Sequence, residues 1–390
     1  MKRLTRRLTP TKLPTKRPSF WFIGPWAHAS GLGEAARGAL RTLWSMSAEL
    51  EVEAEAMHNH GMHERIGPHA TCTASANQSE PTVSWLHCNP DAASMALTPA
   101  QKQRLQSSRH VVATWVWESQ QLPVSWHQAL SWIDQLWVPS TYVRDLIQPY
   151  TNKPIHVVPH LVELPSRSAK TVKRERQVLY IFDGHSYLHR KNPHHLLEAF
   201  ATSDLPAKGW KLVLKTKNLS EAGGEPALLS QFHQRLQDLQ KRWPEQIQLL
   251  DVALDRQAIT GLLNRSAIYA SPHASEGFGL TIAEAMAHGC LTVATDHGGC
   301  RDWLTQKTGY PINYELTSII NGYGTYPAGS VWANVKPEPL AQGLNQAAEV
   351  HDTEPDHAAD IRMAAFAAIE NSCGEKAVAS AIRHALSSVL

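Results

Sequence analysis

Two glutamates eight positions apart, Glu276 and Glu284, flank a glycine turn in the segment S-P-H-A-S-E-G-F-G-L-T-I-A-E-A-M-A-H-G. An apolar run, A-I-Y-A-S, precedes the turn, and good helix formers follow it. A strand turning through Gly277 and Gly279 into a helix leaves the N–H groups of Phe278, Gly279, Leu280 and Thr281 at a helix N-terminus. Such a terminus has unpaired donors and about half a positive charge, so it favours an anion. A diphosphate fits there, and the glycines let the backbone approach it with no Cβ in between. Carboxylates repel phosphate, but they accept hydrogen bonds from hydroxyls, two at once where the hydroxyls are vicinal. A ligand with phosphates in the middle and hydroxyl-rich rings at both ends, a nucleotide sugar, meets all of these conditions. A plainer role for Glu284, an acid near the start of a helix, leaves the coincidence of turn, glycines and both carboxylates unexplained.

Other segments carry further chemistry. F-D-G-H-S-Y-L-H-R-K-N-P (182–193) combines a strand end with a basic pair, Arg190 and Lys191. G-P-W-A-H-A-S-G-L-G-E-A-A-R (24–37) is a glycine-rich first turn containing Gly31 and Gly33. W-L-H-C-N-P (85–90) ends a strand at His87, and W-V-W-E (115–118) carries Trp117 and Glu118.

The E-x7-E segment and 182–193 resemble the family 4 retaining glycosyltransferases of the GT-B fold, and the N-terminal segments resemble the same family more loosely. The resemblance implies that Lys191 contacts the donor diphosphate, a point-charge role that suits lysine. It implies that Glu284 holds the ribose hydroxyls and that Glu276 contacts the transferred sugar. The loop 252–255 would lie near the base. Gly31 and Gly33 would bring backbone amides to the donor, His87 would line the catalytic cleft, and Glu118 with Trp117 would face the acceptor. Arg190, next to Lys191, would face elsewhere in a regular segment. The chain departs from the family at His185 and Ala274, where relatives often carry arginine; Lys215 and Lys217 are substitutes to consider.

These residues need elements to hold them. The 390 residues call for two domains. Short apolar runs at 19–24, 83–87, 111–117, 135–138 and 155–158 read as buried parallel strands, with a helix over 32–49. The polar stretch 163–177 has no apolar periodicity and marks a boundary. A second set follows at 178–182, 212–215, 247–250, 267–271 and 291–294, with helices near 193–203, 226–242, 256–264 and 280–288. Such alternation predicts an α/β fold of two Rossmann-like halves, which in GT-B proteins face each other across a deep cleft. The expected division is a basic tail (1–18), an acceptor-side domain (19–165) and a nucleotide-sugar domain (166–374). The helix at about 375–390 would cross back onto the first domain.

With a net charge of +2, bulk electrostatics do not point to nucleic acid. The chain has no run of 18 apolar residues. Five scattered cysteines without a C-x-x-C pair read as reduced thiols, and the basic start lacks an apolar h-region; the expected location is cytoplasmic. The acid-free tail, Lys2 to Arg17, is read as a solvated arm, or as a tether to the anionic inner face of the cytoplasmic membrane. No D-x-D loop is present, so neither a catalytic metal nor a cofactor is expected, only the nucleotide-sugar co-substrate.

The resemblance thus implies a hexosyltransferase-type enzyme that acts on a glycan or lipid-linked acceptor with retention, in bacterial surface polysaccharide or lipopolysaccharide synthesis. Three rival readings stand beside it. One is a non-catalytic GT-B scaffold that binds glycans. Another is an NAD-dependent oxidoreductase using G-x-G-x-x-A (31–36) with Glu51. The third is a metal site at His58, His60, His63, His69 and Cys72.

Overall fold

The computed structural model describes residues 17–28, 30–57, 81–165, 173–221 and 225–389. Six strands, β1 (Ser19–Gly24), β2 (Glu51–Ala56), β3 (Val83–His87), β4 (Val111–Thr114), β5 (Gln135–Val138) and β6 (Ile155–Val157), form one parallel sheet in the order β2-β1-β3-β4-β5-β6. Between them run α1 (Gly31–Ser45), α2 (Pro90–Ala96), α3 (Pro99–Gln106), α4 (Val124–His127) and α5 (Thr141–Ile147). A second parallel sheet has the order β12-β11-β10-β7-β8-β9. It is built from β7 (Glu175–Ile181), β8 (Lys211–Thr216), β9 (Ile247–Asp251), β10 (Ser266–Ser271), β11 (Leu291–Thr295) and β12 (Tyr310–Ile312). Its helices are α6 (Leu188–Lys191), α7 (Pro193–Thr202), α8 (Pro226–Arg242), α9 (Arg256–Arg265) and α10 (Leu280–Ala287). An antiparallel hairpin, β13 (Glu315–Ser318) and β14 (Val331–Asn334), follows, and then α11 (Pro337–Thr353), α12 (Pro355–Cys373) and α13 (Glu375–Leu386).

The central strands β3, β10 and β11 are buried along their whole length. That is why they read as unbroken apolar runs: a parallel sheet is covered on both faces. The strand order reverses between β1 and β3 in the first sheet, and between β7 and β10 in the second. Loops at the C-terminal ends of such strand pairs diverge and open a crevice, where ligands of open α/β sheets bind. Residues 25–28, 30–33 and His87 lie at the first reversal, and residues 182–191 and 272–279 at the second.

Several elements differ from the sequence expectation. The run 111–117 leaves the ladder after Thr114 because Asn89 replaces a neighbouring strand: its Nδ2 donates to Val116 O at 2.9 Å, and its Oδ1 accepts from Val116 N at 2.8 Å. The first helix ends at Ser45 rather than near 49. β2, E-V-E-A-E-A, is an edge strand whose alternating acids gave no apolar signal.

The C-terminal helix α13 packs its buried face, Val378, Ala379, Ile382 and Ala385, into the core of the first sheet beside Phe20, Trp85 and Trp137. Ile382 is fully buried. Ile382→Ala is therefore expected to destabilise the protein by about 2–5 kcal/mol, read as a lower midpoint in urea. An unchanged midpoint would show that α13 contributes nothing to the core.

Candidate active site

β10 ends at Ser271, and the chain turns through 272–279 into α10. Gly279, the residue before the helix, has φ +86°, a left-handed conformation that glycine adopts without Cβ strain. Ile282 and Ala283 both donate to its carbonyl at 3.0 Å. Among the described residues, the N–H groups of Phe278, Gly279, Leu280 and Thr281 have no acceptor. They form the unpaired helix N-terminus expected from the sequence. The Phe278 ring is buried, against His160 (4.9 Å) and Trp303 (6.0 Å).

Each carboxylate beside the turn is paired with a cation. Lys191 donates to Glu276 Oε1, and Arg190 Nη1 lies 3.5 Å from Glu276 Oε2. Burial pushes the Glu276 carboxyl up, but Lys191 and Arg190 outweigh it and hold the group at about 2. Glu284 accepts from Arg256 Nη1 at 2.5 Å. There burial wins over the arginine, and the carboxyl is raised. Arg256 opens α9 directly after the loop 252–255. Its partnership with Glu284 was missed in the sequence because the two are far apart in the chain.

Arg190 does not face away from Lys191. α6 is a single helical turn between two positive-φ residues, Tyr187 (φ 62°) and Asn192 (φ 50°), so regular spacing does not hold there. Both basic side chains reach Glu276, and Arg190 is only 6% exposed. The suggested substitutes are engaged elsewhere: Lys215 is buried and donates to Thr216 O at 2.9 Å, and Lys217 lies 3.6 Å from Asp183. His185 is exposed beside Asn218 (3.4 Å). Ala274 is buried in a cluster with Tyr326 and Trp332.

The first sheet's residues are distributed more widely. His87 ends β3 and is 2% exposed, with its Nδ1 unpartnered among the described residues. Burial lowers it to about 4, so the ring is neutral at pH 7; His160 lies 6.0 Å away. Gly31 begins α1 and is exposed, and the Gly33 N–H donates to the Ser30 hydroxyl at 3.1 Å, which caps the helix. Glu118 faces the second half of the molecule: it lies 3.4 Å from Arg190 and accepts from the Tyr326 hydroxyl at 3.0 Å. Trp117 is 2% exposed, its ring stacked on Tyr326 at 5.1 Å. Tyr326 belongs to a hairpin that the sequence reading did not resolve.

The two halves meet directly at the turn. Ser140 donates to Gly277 O at 2.6 Å, Ser275 Oγ donates to Glu118 O at 2.5 Å, and Thr141 N donates to Asp302 at 2.9 Å. The dinucleotide reading loses its acid: Glu51 is the first residue of β2, paired with Ser19. It lies five residues, about 16 Å, from the strand end beside the crevice. The histidines and cysteine of the suggested metal site (58–72) and the basic tail 1–16 lie outside the described residues. Among the described residues, no group of three or more His, Cys, Asp or Glu side chains converges as metal ligands. No described helix is long and apolar enough to cross a membrane.

Residues 177–318, which contain Lys191, Glu276 and Glu284, match the model of the family described as Glycosyl transferases group 1. No curated protein matches the chain. Among similar solved structures is a glycosyltransferase from Rickettsia africae, at 15% identity and a TM-score of 0.63, covering 96% of this chain and 99% of that one. Another is Anabaena HepE in complex with UDP-glucose, at 16% identity and a TM-score of 0.61, covering 95% and 99%. A third is sucrose-phosphate synthase from Thermosynechococcus elongatus, at 14% identity and a TM-score of 0.63, covering 96% and 99%. Two Rossmann-like halves meeting at their strand C-termini, and these neighbours, give the chain the GT-B fold; with the family match over 177–318, they support a glycosyltransferase.

Proposed function

We propose that the protein transfers a hexosyl group from a nucleoside diphosphate sugar to a glycan or lipid-linked acceptor, with retention of anomeric configuration. One observation carries the reading. Four backbone donors with no acceptor among the described residues stand at one turn, with a paired carboxylate at either end, one of them held by Lys191. The diphosphate would lie on the free N–H groups of 278–281 and against Lys191. The transferred sugar would reach Glu276, and the ribose Glu284. Both acids would exchange their cation partners, at least in part, for ligand hydroxyls. HepE, similar in fold, is complexed with UDP-glucose, which makes a uridine nucleotide the first donor to try.

Cleaving the anomeric C–O bond puts negative charge on the leaving phosphate. In this reading Lys191 and the turn amides would face that charge, and groups held in place beforehand stabilise it without reorganising. The mechanism needs no metal in that role. Glu276 and Glu284 bind the donor in this reading and do not act as a nucleophile and acid pair. The leaving phosphate takes the acceptor proton, and neutral His87 would line the catalytic cleft. A role in bacterial surface polysaccharide or lipopolysaccharide assembly, at the cytoplasmic face of the membrane, completes the proposal.

The test is thermal unfolding with UDP, GDP, ADP, their sugars and NAD, repeated on Glu284→Ala. A ligand at 100 times its dissociation constant is expected to add about 2.7 kcal/mol of stability, and the variant is expected to lose the shift. No shift with any nucleotide diphosphate would point to a non-catalytic scaffold instead.

A further inference from the structure

In the donor reading, one side-chain cation, Lys191, faces two phosphates. Position 185 is a histidine, position 274 an alanine, and Lys215 and Lys217 are turned to other partners. We propose that Arg190 is a second cation for the donor diphosphate, and that Glu118, held by Tyr326, positions its guanidinium across the interdomain cleft; this rests on the donor reading of the same site.

The geometry around Arg190 supports this. Its Nη1 donates to Ser275 O at 3.0 Å and its Nε to Ser186 O at 3.2 Å, so the guanidinium lies along the backbone that leads into the glycine turn. Glu276 on one side (3.5 Å) and Glu118 on the other (3.4 Å) bracket it. No acceptor among the described residues takes a hydrogen bond from Nη2. A planar fork with a free arm suits a phosphate oxygen. Two basic side chains, Arg190 and Lys191, thus face two carboxylates, Glu118 and Glu276.

Glu118 comes from the first half of the protein and is fixed by the second. Its Oε2 accepts from Tyr326, whose ring stacks on Trp117 (5.1 Å) and meets Trp332 edge-on (5.1 Å). Tyr326 lies between β13 and β14, so the hairpin reaches across the cleft to hold the carboxylate that orients Arg190. Glu118 touches no part of the donor in this scheme. It acts through Arg190 and is a positioning residue.

Titration calorimetry on the full chain with UDP, GDP and ADP, and with the matching monophosphates, tests the proposal. Arg190→Gln is expected to weaken the diphosphate about 10–100-fold, the range of a charge-assisted hydrogen bond, and to leave the monophosphate within about twofold. Arg190→Lys, with charge but no fork, falls between, and it carries the test if the glutamine variant does not fold. Glu118→Gln keeps the tyrosine hydrogen bond but loses the charge. It is expected to weaken the diphosphate severalfold at an unchanged melting temperature, and not to add to the effect of Tyr326→Phe. Unchanged diphosphate affinity in both Arg190 variants, or equal losses for mono- and diphosphates, overturns the proposal. Tighter binding in Glu118→Gln overturns the positioning role, since Glu118 would then compete with phosphate. If the unmodified protein binds no nucleoside diphosphate, the donor reading fails first and takes this inference with it.

Discussion

Replacing Lys191 by alanine is expected to lower donor turnover about 10²–10³-fold, the usual loss when a preplaced group facing developing charge is removed. The reason lies in the site's architecture. Lys191 is the last residue of a one-turn helix, and the bond from the Tyr180 hydroxyl to the Lys191 carbonyl (2.7 Å) fixes its backbone. Its side chain is largely but not fully buried, which pushes its pKa down, and the adjacent Arg190 pushes the same way. Glu276 opposes both without fully offsetting them. Donor hydrolysis without acceptor, measured at saturating donor, isolates the effect from acceptor binding. Activity within about threefold of the parent would remove Lys191 from the mechanism.

The same substitution has a consequence for stability in acid. The Glu276 carboxyl is held at about 2 in the folded protein, against about 4.3 in an unfolded chain. A depressed carboxylate stabilises the fold in full above its unfolded value, and this contribution is lost as pH falls through the folded value. Its window therefore runs from about pH 5 down to about 2. Without Lys191, Arg190 and the weaker influence of His273 are left to oppose burial, so the folded value rises and less stabilisation is available. Lys191→Ala is thus expected to lose less stability between pH 5 and pH 2 than the parent, starting from a lower level at pH 7. Chemical denaturation across that range reads the difference, and parallel curves for the two proteins would contradict it.

The second large effect is expected at Gly299. The loop after β11 passes directly under the glycine turn, and Gly299 N donates to Glu276 O at 2.8 Å. A Cβ at position 299 would stand 2.2 Å from Gly277 O, 2.7 Å from Gly277 C and 2.8 Å from Phe278 Cα. All three are backbone atoms, so no flexible side chain can move aside. Gly299→Ala must displace the segment whose amides face the diphosphate. Overpacking of this kind costs roughly 1–3 kcal/mol or more, and a shift of about 1 Å in a positioned group can cost about 100-fold in rate. Gly261→Ala is the control: among the described residues nothing lies within 4 Å of the added Cβ in α9, and alanine favours a helix by up to about 1 kcal/mol. A Gly299→Ala protein with the parent's melting temperature and nucleotide affinity would mean that the turn yields easily.

Much of this protein could be read directly from its sequence. The buried strands were visible because parallel strands covered on both faces become short apolar runs bounded by polar residues, as in β3, β10 and β11. The turn from β10 into α10 was visible because an apolar strand, two glycines and a run of helix formers follow one another, and Gly279 takes the left-handed conformation that glycine adopts without strain. Glu276 and Glu284 were legible as residue types at fixed spacing from that turn, and Lys191 through the resemblance carried by 182–193.

Contacts between distant segments were not. Arg256 meets Glu284 because β9 leads into α9 beside the start of α10. Arg190 turns inward because two positive-φ residues bracket its helix turn, and no periodicity rule anticipates that. The hairpin 315–334 gave no signal, since β13 is exposed throughout and only β14 carries a buried core. Yet it brings Tyr326 to Glu118, which turns a residue expected to face an acceptor into one facing Arg190. Local backbone chemistry is written in neighbouring residues, so the sequence alone determined the halves, the turn and its acids. Charge partners are chosen by which elements the two sheets bring into contact, and only the tertiary structure decided those.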